Sequence, residues 1–202
     1  MNGMPKEKSG SYPHVKDLGK LREKIIFHLS QNPNLNAQAL QKALDYPSSQ
    51  YPNILKALKK LEKFGLVKSK SGKSKKNVPI RLYRCTDNGI LYALARNPRA
   101  DALKTIAAYE HLDPLAISFR ALYDIMGPEL FFRFVRDVDE FMPMIQKDGI
   151  DNVAPYIVMK MTMHMNHMDL DTKTRIIKQL MEQFPHTKQR LRDWVDSINK
   201  LL

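Results

Sequence analysis

The sequence has very little cysteine and no long apolar run. Its 202 residues include a single cysteine, Cys85, which excludes an internal disulfide and fits a reducing cytosol. The apolar runs are only a few residues long, whereas a helix that spans a bilayer needs about 18. Residues 1–18 lack the apolar stretch of a secretory leader. We therefore expect a cytoplasmic protein with no membrane attachment.

The familiar catalytic motifs are missing as well. The chain has no phosphate-binding glycine-rich loop, no G-x-S-x-G elbow and no H-E-x-x-H pair. Cys85 lies in a strand-like pattern, which favours a small buried apolar role over that of a nucleophile. The neighbouring carboxylates Asp137, Asp139 and Glu140 are typical of a solvated helix face. We expect no enzyme activity and no cofactor.

What the sequence does have is a basic first half. Residues 1–96 contain 19 Lys and Arg against 6 Asp and Glu, a net charge of +13. Residues 97–202 contain 14 and 15, a net charge of −1. The total of +12 therefore belongs to one half of the chain. Such a basic excess predicts a polyanion partner, most often nucleic acid.

The first half has a clear order of elements. Residues 1–17 have no apolar period and predict a flexible tail. Apolar spacing then predicts a helix over 18–30, a short helix capped by Asn36, and a third helix that follows two possible N-cap serines and ends at Phe64. Two strands, 66–70 and 78–86, surround a Lys-rich tip, with Tyr83 and Cys85 pointing inward. Thr86 caps a fourth helix over 87–95.

The second half, 97–202, has helical patterns only. The dipeptide Asn97-Pro98 marks the expected domain boundary, and breaks are predicted near residues 113, 127, 148, 170 and 185. About six helices fit between them. The predicted fold is therefore mainly α with a small β-hairpin. It consists of an N-terminal domain over 18–96 and an all-α dimerisation or effector domain over 97–202.

Three helices followed by a basic hairpin suit duplex DNA. A helix fits the major groove and presents side chains to base edges. A Lys-bearing hairpin can contact the adjacent backbone, where each neutralised phosphate adds salt-dependent affinity. We therefore expect double-stranded DNA as the partner.

Three segments also resemble a known family. Residues 54–67 (ILKALKKLEKFGLV) resemble the recognition helix and first wing strand of winged helix-turn-helix regulators. Residues 81–89 (RLYRCTDNG) resemble the second wing strand and the turn after it, and residues 35–40 (LNAQAL) resemble the start of the preceding helix. The match is to the broad MarR/PadR-type group and covers about residues 18–96. In this sequence Cys85 stands at the usual Leu position, and the wing tip is unusually rich in Lys.

The resemblance implies a nucleoid-associated transcription regulator and a set of DNA-binding residues. The front of the third helix would face the bases, because Asn and Gln can pair with adenine and Lys with guanine. This base-facing set is Ser49, Gln50, Tyr51, Asn53 and Lys56. The backbone-binding set is Lys60, Lys68, Lys70, Lys73, Lys75, Lys76 and Arg81. The alternative for these lysines is a merely solvated surface.

Residues 159–168 are rich in Met and His. Soft thioether and imidazole ligands could bind Cu(I) through His164, His167, Met161, Met165 and Met168. We favour packing or dimerisation, because Met spaced by two residues spreads around a helix. Bulky residues of this half could line an apolar effector pocket or form an ordinary core: Phe131, Phe132, Phe134, Phe141, Met142, Met144, Tyr156 and Trp194. The last helix, 188–202, has an apolar stripe suited to docking.

The sequence leaves several functions open. The first is a DNA-binding transcription regulator that acts as a homodimer, with a possible small-molecule effector of unknown identity. The second is a protein-interaction or assembly module whose basic surface meets an acidic protein. The third is a nucleic-acid organiser with little sequence preference.

Overall fold

The structure is a computed structural model that describes residues 18–74, 77–96 and 102–183. The chain divides into two compact units, Met1–Asp113 and Pro114–Leu202. The described residues are mainly helical, with one antiparallel two-stranded hairpin. The predicted class, mainly α with a small hairpin, is confirmed at this level. The tail 1–17 and the last predicted helix, 188–202, lie outside the described residues.

The two units differ in their elements. The first contains α1 (Gly19–Gln31), α2 (Ala37–Ala43), a 3-10 turn (Ser48–Gln50), α3 (Tyr51–Lys63), β1 (Val67–Lys73), β2 (Pro79–Cys85), α4 (Asp87–Arg96) and α5 (Ala102–Tyr109). The second contains α6 (Pro114–Asp148), α7 (Ile150–His164), a 3-10 turn (Met165–His167) and α8 (Leu170–Gln183).

Side-chain caps start two of the helices of the first unit. The Asn36 side chain accepts a hydrogen bond from the N–H of Ala39 (2.8 Å) at the start of α2. Thr86 Oγ1 accepts from the N–H of Gly89 (3.2 Å) at the start of α4. Both predicted caps are confirmed. The start of α3 differs, because the two serines form the 3-10 turn and α3 begins without a side-chain cap.

The apolar stripe of α3 is the centre of the first unit. Ile54, Leu58 and Leu61 are fully buried, and α3 packs against α1, α2 and β1. Burying each of these side chains is worth about 1.5–3 kcal/mol. Pro52 is tolerated in the first turn, where the backbone N–H has no partner within the helix. The remaining sides of α3 are therefore turned away from the core.

The hairpin is held to the body of the unit through β2. Its register pairs Val67 with Cys85 and Lys73 with Pro79. Tyr83 and Cys85 are buried, as the two-residue period predicts. The N–H of Tyr83 also donates to the carbonyl of Leu35 (2.8 Å), which forms an isolated bridge beside the hairpin. This bridge ties the segment before α2 to the second strand.

Gly89 lets α4 approach the beginning of the hairpin. A Cβ atom at this position would lie 2.0 Å from the carbonyl oxygen of Leu66, far inside van der Waals contact. The same carbonyl accepts a hydrogen bond from the N–H of Thr86 (3.1 Å). Because the backbone at Leu66 cannot move without breaking this bond, the direction in which the hairpin leaves the body is fixed here.

A buried tyrosine joins α5 to the same unit. The hydroxyl of Tyr109 accepts from the N–H of Cys85 (2.8 Å) and donates to the carbonyl of Leu29 (2.9 Å). One side chain therefore connects α5, β2 and α1. The division between units accordingly falls between Asp113 and Pro114, whereas the sequence placed the boundary after residue 96.

The second unit is built on α6 and α7. Gly127 has φ 73° and ψ 167°, so α6 is two helices separated at the predicted break. Phe131 is buried and makes edge-to-face contacts with Phe119, Tyr123 and Phe132 at centroid distances of 6.0, 5.3 and 5.8 Å. This aromatic cluster supports the core interpretation of Phe131 over the pocket interpretation.

We expect the substitution Tyr109→Phe to destabilise the protein by about 1–3 kcal/mol, because it leaves the buried Cys85 N–H and Leu29 carbonyl without their partner. Urea unfolding measures this as a lower midpoint at unchanged slope. The control is Tyr46→Phe, at a tyrosine whose ring lies 5.7 Å from the ammonium of Lys24. Equal midpoints for the two variants would contradict the role given to the Tyr109 hydroxyl.

Candidate nucleic-acid interface

The exposed face of α3 is strongly basic. It carries one amide and four ammonium groups: Asn53, Lys56, Lys59, Lys60 and Lys63. The acidic residue of this helix, Glu62, is half-buried toward the hairpin, where it accepts a hydrogen bond from Ser69 Oγ (2.5 Å). The lysines therefore face outward on a surface of one sign. The predicted site contained Lys56 and Lys60 but missed Lys59 and Lys63, which the same helical period could have identified.

The predicted base-facing residues lie together at the start of α3. Ser49 is exposed in the 3-10 turn, and Tyr51 is half-buried in the first turn of the helix. Asn53 Nδ2 donates to Gln50 Oε1 (2.5 Å). Each amide keeps further donor and acceptor capacity beyond this bond. Lys56, one turn further on, is exposed.

Apart from Lys60 on α3, the predicted backbone-binding residues that the structure describes lie on both faces of the hairpin. Strand alternation and the register place Lys73 and Arg81 on the side of Ser69 and Tyr83, which packs toward α3. Lys68 and Lys70 lie on the opposite face. Lys75 and Lys76 lie outside the described residues. Only one face of the hairpin thus continues the basic surface of α3.

The hydrogen bond from Ser69 to Glu62 joins that face of the hairpin to α3, and Tyr83 lies near the same carboxylate. Burial raises the pKa of the Tyr83 phenol, and the nearby Glu62 carboxylate raises it further. The phenol is therefore neutral near neutral pH. The neighbouring guanidinium of Arg81 opposes this rise in the pKa of Tyr83.

Lys68 has a partner within the protein. Its Nζ lies 3.9 Å from Oδ2 of the buried Asp113. Asp113 in turn shares a hydrogen bond with Asp87. These three groups hold the base of the hairpin near α4. Lys68 is therefore a weaker candidate for a DNA contact than Lys70, Lys73 or Arg81.

Cys85 is chemically protected. It is fully buried, and burial raises the pKa of its thiol to about 12. Its Sγ lies 3.7 Å from the carbonyl of Ile26, to which it donates. The thiolate needed for nucleophilic attack is therefore negligible at neutral pH. This geometry agrees with the apolar packing role predicted for Cys85.

In the second unit, the side chains of the Met- and His-rich segment 159–168 lie in different environments. His164, His167 and Met168 line one open hollow of about 540 Å³ beside Gly127, together with Met126. Met165 is buried, and Met161 is not among the lining residues. The five proposed metal ligands thus do not share one site. In the part of the chain that the structure describes, no three His, Cys, Asp or Glu side chains are grouped to hold a metal ion.

His164 belongs to a polar network between α6 and α7 instead. Its Nε2 lies 2.7 Å from Oδ2 of Asp137, whose side chain is 8% exposed. Lys160 Nζ contacts the other oxygen of Asp137 (3.2 Å) and Glu140 (2.6 Å). The hydrogen bond with Glu140 is the main cause of a raised pKa for Lys160. Asp137, which the sequence placed on a solvated face, is therefore buried and joins α6 to α7.

We expect Asp87→Asn to stabilise the protein progressively as the pH rises above acidic values. Burial, followed by the hydrogen bond and charge of Asp113, raises the folded-state pKa of Asp87 above its ordinary value of 3.8. The stability that the wild-type carboxyl contributes is therefore fully present below 3.8 and is lost as the pH rises through the folded pKa. Urea unfolding at a series of pH values measures the difference.

The control for this prediction is Asp45→Asn, which removes one negative charge at an exposed position of the same unit. The difference in the free energy of unfolding between Asp87→Asn and wild type should grow with pH. A difference that does not change with pH would contradict the raised pKa of Asp87.

The comparisons with known proteins identify no relative. No family model matches the chain, and neither the curated proteins nor the solved structures include a similar one. No helix within the described residues is long and apolar enough to cross a membrane.

Proposed function

We propose that this protein is a DNA-binding transcription regulator of the winged helix-turn-helix type, with no enzymatic reaction of its own. In this proposal α3 lies in the major groove of duplex DNA, and the hairpin is the wing that follows the adjacent backbone. The observation that carries the proposal is the exposed face of α3, which has four lysines and no acidic side chain.

The dimensions of α3 suit this placement. Its 13 residues extend for about 20 Å, and a helix of that size fits a major groove about 12 Å wide. Ser49, Gln50 and Asn53 lie at its beginning, where they would approach base edges. Lys59 and Lys63 lie further along the helix and would contact phosphates. The surface thus combines residues that can discriminate bases with residues that supply general affinity.

The hairpin supports the proposal through its orientation. Its α3-facing side carries Lys73 and Arg81, so a duplex bound to α3 would meet these two cations on one flank. Hydrogen bonds at Leu66 and Leu35 fix the hairpin relative to α3. The backbone that carries the two cations is therefore held in place before binding, which lowers the entropy lost on binding.

We propose homodimerisation for the second unit. On α7 the side chains of Tyr156, Met159 and Met163 are 51%, 49% and 60% exposed and repeat at helical spacing. A second copy of this chain would cover this stripe. Two-fold pairing would then place two α3 helices in successive major grooves, about 34–36 Å apart. The hollow beside Gly127 is the place where we would look for a small-molecule effector.

Selection from a random duplex pool tests this function directly. We expect a palindromic motif with half-sites about one helical turn apart. Binding without an enriched motif would support the nucleic-acid organiser instead. If the protein does not bind duplex DNA at physiological salt, the regulator proposal is wrong and the protein-interaction module is favoured.

The lysines of α3 can be tested as a set. We expect Lys56→Ala, Lys59→Ala and Lys63→Ala together to weaken DNA binding by roughly two orders of magnitude and to lower the salt slope by about three. The measurement is fluorescence anisotropy with duplex DNA at several salt concentrations. The control replaces three exposed lysines elsewhere: Lys104, Lys147 and Lys178. Equal losses in both triple variants would mean that net charge, rather than the α3 surface, determines affinity.

A further inference from the structure

A basic hollow lies between the start of α1 and the exposed face of α3. It is open and has a volume of about 430 Å³. Its charged and polar lining comes from both helices: Lys20 and Arg22 from α1, and Asn53, Lys56 and Lys60 from α3. Among the residues that the structure describes, its lining includes no acidic side chain. Lys20 and Arg22 are distant in sequence from α3, so no local pattern indicates that they share a site with it.

The guanidinium of Arg22 is held in place at this hollow. Gly19, the first residue of α1, has a left-handed backbone (φ 66°), and Arg22 Nε donates to the carbonyl of Leu18. A Cβ atom on Gly19 would lie 3.4 Å from Arg22 Nη2, so the guanidinium lies against the first turn of α1. The positive end of the helix dipole adds to the charge of the same region.

The hollow and the hairpin lie on different sides of α3. Asn53, in the hollow, and Glu62, at the hairpin, are nine residues apart. At about 100° per residue this separation places them on opposite sides of the helix. The exposed lysines of α3 lie between them. The helix therefore has a basic surface on each flank.

We propose that this hollow binds a phosphate of the DNA backbone on the strand opposite to the one that the hairpin contacts. The major groove is bordered by two phosphate backbones, so a helix inserted in it has phosphates on both sides. The hairpin is placed for one backbone, and the hollow is placed for the other. This inference rests on the proposed DNA-binding function.

The geometry favours a phosphate of the DNA backbone over a free phosphate ion. The hollow is open and Lys20 is exposed, so a free phosphate ion would keep much of its hydration and gain little affinity. A DNA phosphate is brought to the hollow by the contacts that α3 makes in the groove, which raises its effective concentration. The hollow would thus fix the register of α3 along the groove.

Lys20 provides the test, because Arg22 also bonds the backbone of α1. We expect Lys20→Ala to weaken binding to the selected duplex about three- to tenfold and to lower the salt slope by about one, with the selected motif unchanged. Lys20→Glu should weaken it further. Lys104→Ala, on α5, is the matched control and should leave affinity and slope unchanged.

Replacing one charged phosphate of the DNA with a neutral group identifies which phosphate contacts the hollow. Single methylphosphonate substitutions are placed along each strand of the selected duplex. At one position of each half-site, on the strand opposite to the hairpin contacts, the substitution should weaken the wild type at least as much as Lys20→Ala does, because Arg22, Lys56 and Lys60 line the same hollow. It should weaken the Lys20→Ala variant by a smaller factor than the wild type, and equal factors at every position would contradict the contact. Inorganic phosphate, added at the ionic strength of a chloride control, should not compete; competition would indicate a free-anion site.

The outcomes separate this inference from the function it rests on. A wild-type protein that does not bind duplex DNA contradicts the regulator proposal. A wild-type protein that binds, with Lys20→Ala and Lys20→Glu as tight as Lys104→Ala, contradicts only the phosphate contact at the hollow. Circular dichroism and the urea midpoint of each variant show whether it is folded.

Discussion

The burial of one side of α3 is the constraint on which the proposed DNA surface depends. Ile54, Leu58 and Leu61 must face α1, α2 and the base of the hairpin, because exposing them would cost several kcal/mol. With those positions fixed, the helical period turns Lys56, Lys59 and Lys63 toward solvent. The charge of the helix is therefore directed by its core. A smaller side chain in the buried stripe would lower the stability of the unit that presents these lysines.

Local patterns in the sequence were enough to predict α1 to α4 and the hairpin, but not the 3-10 turn before α3. The caps at Asn36 and Thr86, the stripe of α3 and the inward direction of Tyr83 depend on residues within a few positions of each other. The contacts between distant residues were not predictable in this way. Lys68 meets Asp113, and Tyr109 meets Leu29, only because the chain folds back over 45 and 80 residues. No periodicity indicates such partners.

In the candidate site, too, the parts formed by neighbouring residues were predictable and the parts formed by residues far apart in sequence were not. The sequence identified the start of α3 and the hairpin as basic, and it grouped the hairpin cations into one set. Applying the strand period to that set would have separated Lys73 and Arg81 from Lys68 and Lys70. The hollow at α1 could not be predicted, since Lys20 and Lys56 are 36 positions apart in sequence. In the second unit, the burial of Asp137 likewise depends on Lys160 and His164 from the next helix.

The bonds of Tyr109 determine the shortest piece of this chain that can carry the proposed DNA surface. A fragment that stops at residue 96 would lose α5 and leave the N–H of Cys85 and the carbonyl of Leu29 unsatisfied. It would also lose Asp113, the partner of Lys68 at the base of the hairpin. A fragment that extends to Asp113 keeps these contacts. The proposed DNA surface and the segment that completes its core thus belong to one folded unit, although most of the basic charge precedes residue 97.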